Sequence, residues 1–256
     1  MKVFKRTVTA LIAAAAVVCA LVYFPPSAIK PVVILLAALV HLEFSQMVAK
    51  KYPIMVVQGV VAGVIFLVSK HYFYDTCFVP LMFALAVFAA FGKNERPVAA
   101  WATTVLGFFY VPVMIDYFLL LLRPGTFDTI LPLLYVIAIV KISDMGGFAF
   151  GMAFGKHKMC PAISPGKSWE GLAGSIFAAC LISCLFMPLT HYSWLKALGF
   201  GVAAALFGTL GDLVESRVKR ECGVKDSATF MPAGMGGFLD MFDSLLFAPA
   251  LMYPFL

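Results

Sequence analysis

Two stretches of the chain concentrate residue types able to handle phosphate and metal ions. The first reads SDMGGFAFGMAFGKHKMCPAISPGKSWEG, from Ser143 to Gly171. Gly146, Gly147, Gly151 and Gly155 allow close backbone approach, and Lys156, Lys158 and Lys167 set cationic donors beside them. Ser164-Pro165-Gly166-Lys167-Ser168 then leads into a helix, with Ser168 as N-cap and Glu170 in the first turn. Exposed N–H groups, glycines and lysines at a helix start make a phosphate cradle. A positively charged topology loop is the plainer alternative. The spacing is not that of a P-loop, which needs G-x-x-x-x-G-K-[ST] after a strand.

The second stretch reads GDLVESRVKRECGVKDSATFMPAGMGGFLDMFDS, from Gly211 to Ser244. On a helix, Asp212, Ser216 and Lys219 stand at i, i+4 and i+7, one stripe flanked by Glu215 and Arg220. Asp240 and Asp243 stand at i and i+3 where the last apolar run begins, so both carboxylates reach one ion. Pro232, Gly234, Gly236 and Gly237 break the chain between the two helices. Carboxylates and a hydroxyl from two helices, opposed by basic residues, suit a divalent cation with a polyphosphate, and Mg²⁺ is the hard, oxygen-seeking candidate.

The elements that must position these residues follow from composition. Of 256 residues, 62% are hydrophobic and 12% charged. Soluble domains carry about 25% charged residues, and the few charges here cannot cover so much apolar surface. This excludes a soluble globule, a disordered chain and a coiled coil. The absence of long alternating apolar/polar runs argues against a transmembrane β-barrel. The expected fold is an all-α integral membrane protein, a polytopic bundle of about nine transmembrane helices. A span takes about 20 apolar residues. Nine such stretches run from Val8 to Phe24, Pro31 to Val48, Ile54 to Val68, Phe78 to Phe91, Val98 to Leu122, Ile130 to Ala149, Leu172 to Leu189, Leu195 to Val214 and Phe238 to Leu256. Pro112 is expected to kink the fifth. The first also reads as a secretory signal peptide, but its length and the lack of a small-x-small site before Pro25 favour a retained helix. Residues 1–142 form an N-terminal set of spans, and 143–256 a C-terminal catalytic region holding both motifs.

With the N-terminus in the cytosol, fourteen of the nineteen lysines and arginines fall on inner segments and four on outer ones. The positive-inside rule then places the two long connections, 150–171 and 215–237, in the cytosol. The net charge of +6 is therefore mostly an inner-face charge, signalling topology and attracting anionic lipid heads. The six cysteines contain no C-x-x-C pair, so a zinc site is not expected. Glu43 and Asp116 fall inside spans, where an interhelical hydrogen bond or ion pair is the plain reading and a functional role the other. Asp144, Glu170, Asp212, Glu215, Asp240 and Asp243 gather at the inner ends of four spans. Carboxylates that close repel unless something cationic stands between them, either metal ions or the nearby lysines.

These motifs resemble those of the phosphatidate cytidylyltransferase (CDP-diacylglycerol synthase) family. Its signature runs S-x-x-K-R, four residues, K-D, a spacer, P-G-H-G-G, two residues, then D-R-x-D. Ser216, Lys219, Arg220, Lys225, Asp226 and Pro232 match in order and spacing, and Gly234, Gly236, Gly237, Asp240 and Asp243 follow one residue late. The first stretch is similar to the upstream motif through Asp144, Gly151, Gly155, Lys156, Lys158, Pro161, Ser164, Pro165, Lys167, Trp169, Glu170 and Gly171. The resemblance covers the chain from Asp144 onward. Three departures stand out: Ala233 as an insertion, Met235 where the family often has His, and Met241 where it often has Arg.

The resemblance implies transfer of CMP from CTP to phosphatidate in a bacterial-type inner membrane, giving CDP-diacylglycerol and pyrophosphate. It implies Asp212, Ser216, Lys219, Arg220, Lys225, Asp226, Asp240 and Asp243 as the catalytic set. Within that set, Asp212, Asp240 and Asp243 would hold Mg²⁺, with a monovalent cation such as K⁺ as a further candidate. Asp144, Lys156, Lys158, Ser164, Lys167 and Glu170 would hold the nucleotide. The expected partners are CTP, phosphatidate, membrane lipid and a second copy of the chain, with no nucleic acid. The alternatives are a related CTP-dependent lipid kinase, an ether-lipid cytidylyltransferase and, from another class, a membrane transporter. The last would need acids near mid-bilayer on several helices and inverted repeats, whereas here the acids crowd one face and no repeat is visible.

Overall fold

The computed structural model describes residues 23–72, 78–92, 95–122, 127–227 and 237–255. Most of the expected first span and the Pro232, Ala233, Gly234, Met235 and Gly236 segment lie outside these described residues. The chain is overwhelmingly helical. Helix α1 (Pro26–Ala49) begins with proline in its first turn, and α2 (Val56–Tyr72) and α3 (Phe78–Phe91) follow. Helix α4 (Pro97–Leu121) contains a π-helical turn over Phe109–Val113. Pro112 sits in that turn, where its missing N–H is accommodated by the wider ladder rather than by a break. Helix α5 (Phe127–Phe154) is followed by strands β1 (Lys158–Cys160) and β2 (Ser164–Ser168), paired antiparallel. Helices α6 (Trp169–Leu185), α7 (Trp194–Glu221) and α8 (Phe238–Met252) follow, with a short helical turn over Met187–Thr190 between α6 and α7 and a 3-10 turn over Tyr253–Phe255 after α8.

Among the described residues, α4 and long segments of α1, α5 and α7 are long and apolar enough to cross a membrane, and α2, α3 and α6 contain shorter apolar helical runs. The helices match the expected apolar stretches, but both expected loops are shorter than the sequence suggested. Helix α5 continues to Phe154, and the rest of the first connection is the β-hairpin; α7 continues to Glu221. In α7 the added turns are polar, and Glu215, Ser216 and Lys219 there are buried against neighbouring elements. The 142/143 division falls inside α5.

Two apolar clusters hold the bundle. One joins α1, α2 and α4 through Phe44, Leu67, Phe108 and Val111, and takes in Leu239 and Leu246 of α8. The other joins α5, α7 and α8 through Tyr135, Ile139, Ala204 and Ala248. Helix α8 therefore packs against both halves of the chain.

The glycines of the first motif have a packing role. Gly146 and Gly147 of α5 lie against Gly171, Gly174, Ser175 and Ala178 of α6. A Cβ on Gly146 would stand 2.7 Å from the Gly174 carbonyl oxygen and overlap Ala178. Small residues facing one another let two helices approach closely where lipid gives no hydrophobic drive. Gly146→Leu should therefore cost about 1–3 kcal/mol by overpacking, read as a lower thermal midpoint in detergent. Gly199→Ala, where nothing lies within 4 Å of an added Cβ, should leave that midpoint unchanged or raise it.

Candidate functional site

Three helices and the hairpin bring their charged residues to one end of the bundle. Lys219 Nζ, on α7, lies 2.5 Å from Glu215 Oε2 one turn earlier and 2.7 Å from Asp240 Oδ1 on α8. Glu215 is fully buried, and Lys219 is nearly so. The other oxygen of Asp240 accepts the Gly237 N–H at 2.6 Å and the Ser227 N–H at 3.1 Å. Asp240 thus closes the first turn of α8 while holding Lys219. Ser216 Oγ donates to Asp212 Oδ1 at 3.2 Å. Lys167, on β2, places its Nζ 2.9 Å from Asp212 Oδ2 and donates to the Thr209 carbonyl at 3.0 Å, tying the hairpin to α7.

Helix α5 supplies the third side. Ser244 Oγ of α8 donates to Asp144 Oδ2 at 2.7 Å. Lys141 Nζ lies 3.6 Å from the same oxygen and donates to the Met241 carbonyl and Ser244 Oγ at 3.1 and 3.3 Å. Asp243 accepts the Ser244 N–H at 2.5 Å.

One group of oxygens has the character of a metal site. Asp212, Glu215 and Asp243 each offer a carboxylate oxygen, and the three lie within 4.8 Å of one another. Glu215 Oε1 is buried with no hydrogen-bond partner among the described residues. Hard oxygen donors gathered from two helices, one with an unsatisfied lone pair, fit a divalent cation of the Mg²⁺ type.

The structure therefore assembles Asp144, Lys167, Asp212, Ser216, Lys219, Asp240 and Asp243 in one neighbourhood. Other expected residues lie around it. Arg220 turns to the hairpin connection, its Nε donating to the Ile163 carbonyl at 3.4 Å and its Nη1 to the Val224 carbonyl at 3.3 Å. Lys225 and Asp226 are exposed beyond the end of α7. Lys156 and Lys158 are exposed at the hairpin, and Ser164 is half-buried at the start of β2. Ser168 caps α6 as expected, accepting the Gly171 N–H at 3.1 Å. Glu170 accepts the His157 N–H at 3.2 Å, and His157 Nδ1 lies 2.6 Å from its Oε1, locking the hairpin onto α6.

Two residues outside the expected set join the cluster. Glu215, expected among the gathered acids and as a flank of the stripe but not as a ligand, stands one turn from both Asp212 and Lys219. Lys141 lies within the sixth expected apolar stretch, and its place three residues before Asp144 is the signal that ties it to the cluster. Farther away, Asp116 pairs with Lys70 at 2.7 Å, the plain reading of that buried acid. Lys51, just outside the bundle, bonds Glu221 at 2.6 Å, and that hydrogen bond holds the Lys51 ammonium above its ordinary pKa.

Comparison with known proteins bears on this arrangement. Residues 4–256 match the model of the Cytidylyltransferase family. A phosphatidate cytidylyltransferase of Staphylococcus aureus (strain COL) is 42% identical over 123 residues, which are 47% of this chain and 46% of that protein. One of Mycobacterium bovis is 47% identical over 114 residues, 43% of this chain and 36% of that protein. The chain spans about half the length, or less, of these curated relatives in the matched regions.

Removing the cation at the centre of the cluster should be costly. Lys219→Met leaves the buried Glu215 and the half-buried Asp240 without their shared partner, an expected loss of about 3–5 kcal/mol. Thermal unfolding in detergent measures it. Adding Glu215→Gln to that variant should restore part of the loss, since one uncompensated charge is removed.

Proposed function

The chain belongs to the Cytidylyltransferase family, and from that premise we propose that it transfers the cytidylyl group of CTP to phosphatidate, giving CDP-diacylglycerol and pyrophosphate. The observation that carries this reading is the convergence of Asp212, Glu215 and Asp243, beside Lys141, Lys167 and Lys219, at one end of an apolar bundle. The relatives' name, phosphatidate cytidylyltransferase, supports the choice of acceptor.

In this reaction an oxygen of the phosphatidate phosphate forms a bond to the α-phosphorus of CTP. The bond from that phosphorus to the bridging oxygen of the β-phosphate breaks, and pyrophosphate leaves with the electron pair. The attacking phosphate is already ionised near neutral pH, so no residue needs to remove a proton. The difficulty is electrostatic, because two anions must meet and a third must depart.

The chain's residues divide that work. Asp212 and Asp243, joined by Glu215, are the proposed ligands of Mg²⁺, which when bound supplies positive charge to phosphate oxygens. Asp240, the remaining carboxylate of the expected set, borders that position and holds Lys219 and the start of α8. Ser216 orients Asp212. Lys167, with Lys156, Lys158 and Ser164 on the hairpin, forms the basic side offered to the nucleotide phosphates, and Glu170 and Asp144 fix the elements on either side. Arg220, Lys225 and Asp226 extend the polar rim beyond α7. The acceptor's acyl chains explain why such a site belongs at a bilayer surface. The proposed setting is a bacterial-type inner membrane, with the site facing the cytosol where CTP is available. It rests on the distribution of lysines and arginines. A homodimer and a monovalent cation such as K⁺ belong to the same reading through the family resemblance.

The test is incubation of membranes with labelled CTP, Mg²⁺ and phosphatidate. The wild-type chain should form a CDP-lipid and release pyrophosphate. Asp243→Asn and Asp212→Asn should each lower that rate at least ~100-fold, in line with loss of a major charge-stabilising group, while membrane accumulation stays unchanged. Full activity in either variant overturns its assigned role, and an inactive wild type overturns the reading.

A further inference from the structure

We propose that Glu43, on the first described helix, is a positioning residue for the site: it caps the start of α8 and so fixes Asp240 and Asp243. The inference rests on the transferase reading for its consequence, but its geometry is independent of it.

The first turn of a helix leaves N–H groups without partners inside the helix, and a side chain at the N-cap usually accepts from one of them. The N-cap of α8 is Gly237, which has no side chain to offer. Two carboxylates supply acceptors instead. Asp240 takes the Gly237 N–H from within the helix. Glu43 Oε2, from a residue 196 positions earlier in the chain, takes the Leu239 N–H at 3.0 Å. A negative group at this end also meets the positive end of the helix dipole.

The contact is firmly seated. Glu43 and Leu239 are both 0% exposed. Their neighbours Phe44, Met47 and Leu246 share one apolar cluster with Leu239. The bond is therefore closed to water and fixes α8 in register and rotation against α1. Asp240 follows Leu239 directly, and Asp243 stands one turn on. Rotation or fraying of that first turn would carry Asp240 away from Lys219 and Asp243 away from Asp212 and Glu215. Residues that orient metal ligands from behind typically change affinity or activity 10–100-fold when lost.

Three variants test this. Glu43→Gln keeps an oxygen acceptor for the Leu239 N–H, Glu43→Leu keeps bulk without one, and Glu43→Asp retracts the carboxylate by one methylene. Two readouts apply: amide hydrogen exchange of the 237–244 segment, with neither Mg²⁺ nor CTP added, and the Mg²⁺ concentration giving half-maximal CDP-lipid formation. Glu43→Leu should exchange that segment at least ~10-fold faster and need at least ~10-fold more Mg²⁺, whereas Glu43→Gln should stay within about threefold of wild type on both. If the leucine variant does not accumulate, the aspartate variant should show the same two shifts. The proposal is overturned if the acceptor-lacking or retracted variant matches wild type on both readouts, or if the glutamine variant is as impaired as the leucine one. An inactive wild type would instead overturn the transferase reading, and hydrogen exchange would still decide whether Glu43 holds the helix start.

Discussion

A carboxylate removed from water is stable only when a cation or several N–H groups face it, and its loss of hydration is far larger than any gain from packing. The site end of this bundle is organised around that constraint. Lys219 stands between Glu215 and Asp240, Lys167 beside Asp212, and Lys141 beside Asp144. The three lysines come from α7, the hairpin and α5, so the acids of α5, α7 and α8 share a set of cations, whereas Glu43 of α1 faces the Leu239 N–H instead. The lattice leaves the oxygens of Asp212, Glu215 and Asp243 close together. Like charges at that separation favour the arrival of further positive charge, which is the physical basis for reading the cluster as a cation grip rather than as a structural ion-pair network.

The rest of the fold holds those elements at short range. The close approach of α5 and α6 through facing glycines lets the hairpin between them reach back over α7, where Lys167 meets both Asp212 and the Thr209 carbonyl. His157 with Glu170, and Arg220 with Ile163, pin the hairpin on its two sides. Helix α8 touches both apolar clusters, so the two acids at its start are referenced to the N-terminal helices as well as to α7. The N-terminal half thus contributes through geometry, although it carries neither motif.

Legibility in the sequence followed the range of the interaction concerned. Phe78–Phe91 coincides with its expected span because burial of an uninterrupted apolar run is a local property. The Ser168 cap was readable because its acceptor and donor are three residues apart. The extension of α5 to Phe154 was not, because Gly151 interrupts the run there and lies against Ser168 and Gly171 at the start of α6, a tertiary contact that outweighs glycine's weak helical preference. The partner of Glu43 was beyond reach for the same reason, as its hydrogen bond spans 196 residues. Asp240 and Asp243 looked equivalent at i and i+3. What separates them is that Asp240 meets Lys219 and two backbone N–H groups, whereas Asp243 faces Asp212 and Glu215.

Helix length explains how so many charges coexist with so apolar a chain. Helices α5 and α7 each have 28 residues, which at 1.5 Å per residue is about 42 Å. The hydrocarbon layer is about 30 Å thick, so each helix held near the membrane normal carries a surplus of about 12 Å, or roughly eight residues. Counting back from Glu221 by that amount reaches Val214, beside Asp212 and Glu215. The same count from Phe154 reaches Gly147, three residues after Asp144. With the surplus assigned to these C-terminal ends, as the positive-inside reading has it, the acids of both helices stand near where the helix leaves hydrocarbon, and tilt would shift that boundary by only a turn or so. On the proposed transferase reading, this depth would let a phosphate on a membrane lipid and a nucleotide from water meet at the same height. On the same reading, a site placed a few turns deeper would exclude a nucleotide, and one placed beyond the helices would lose both a lipid acceptor and the rigid frame.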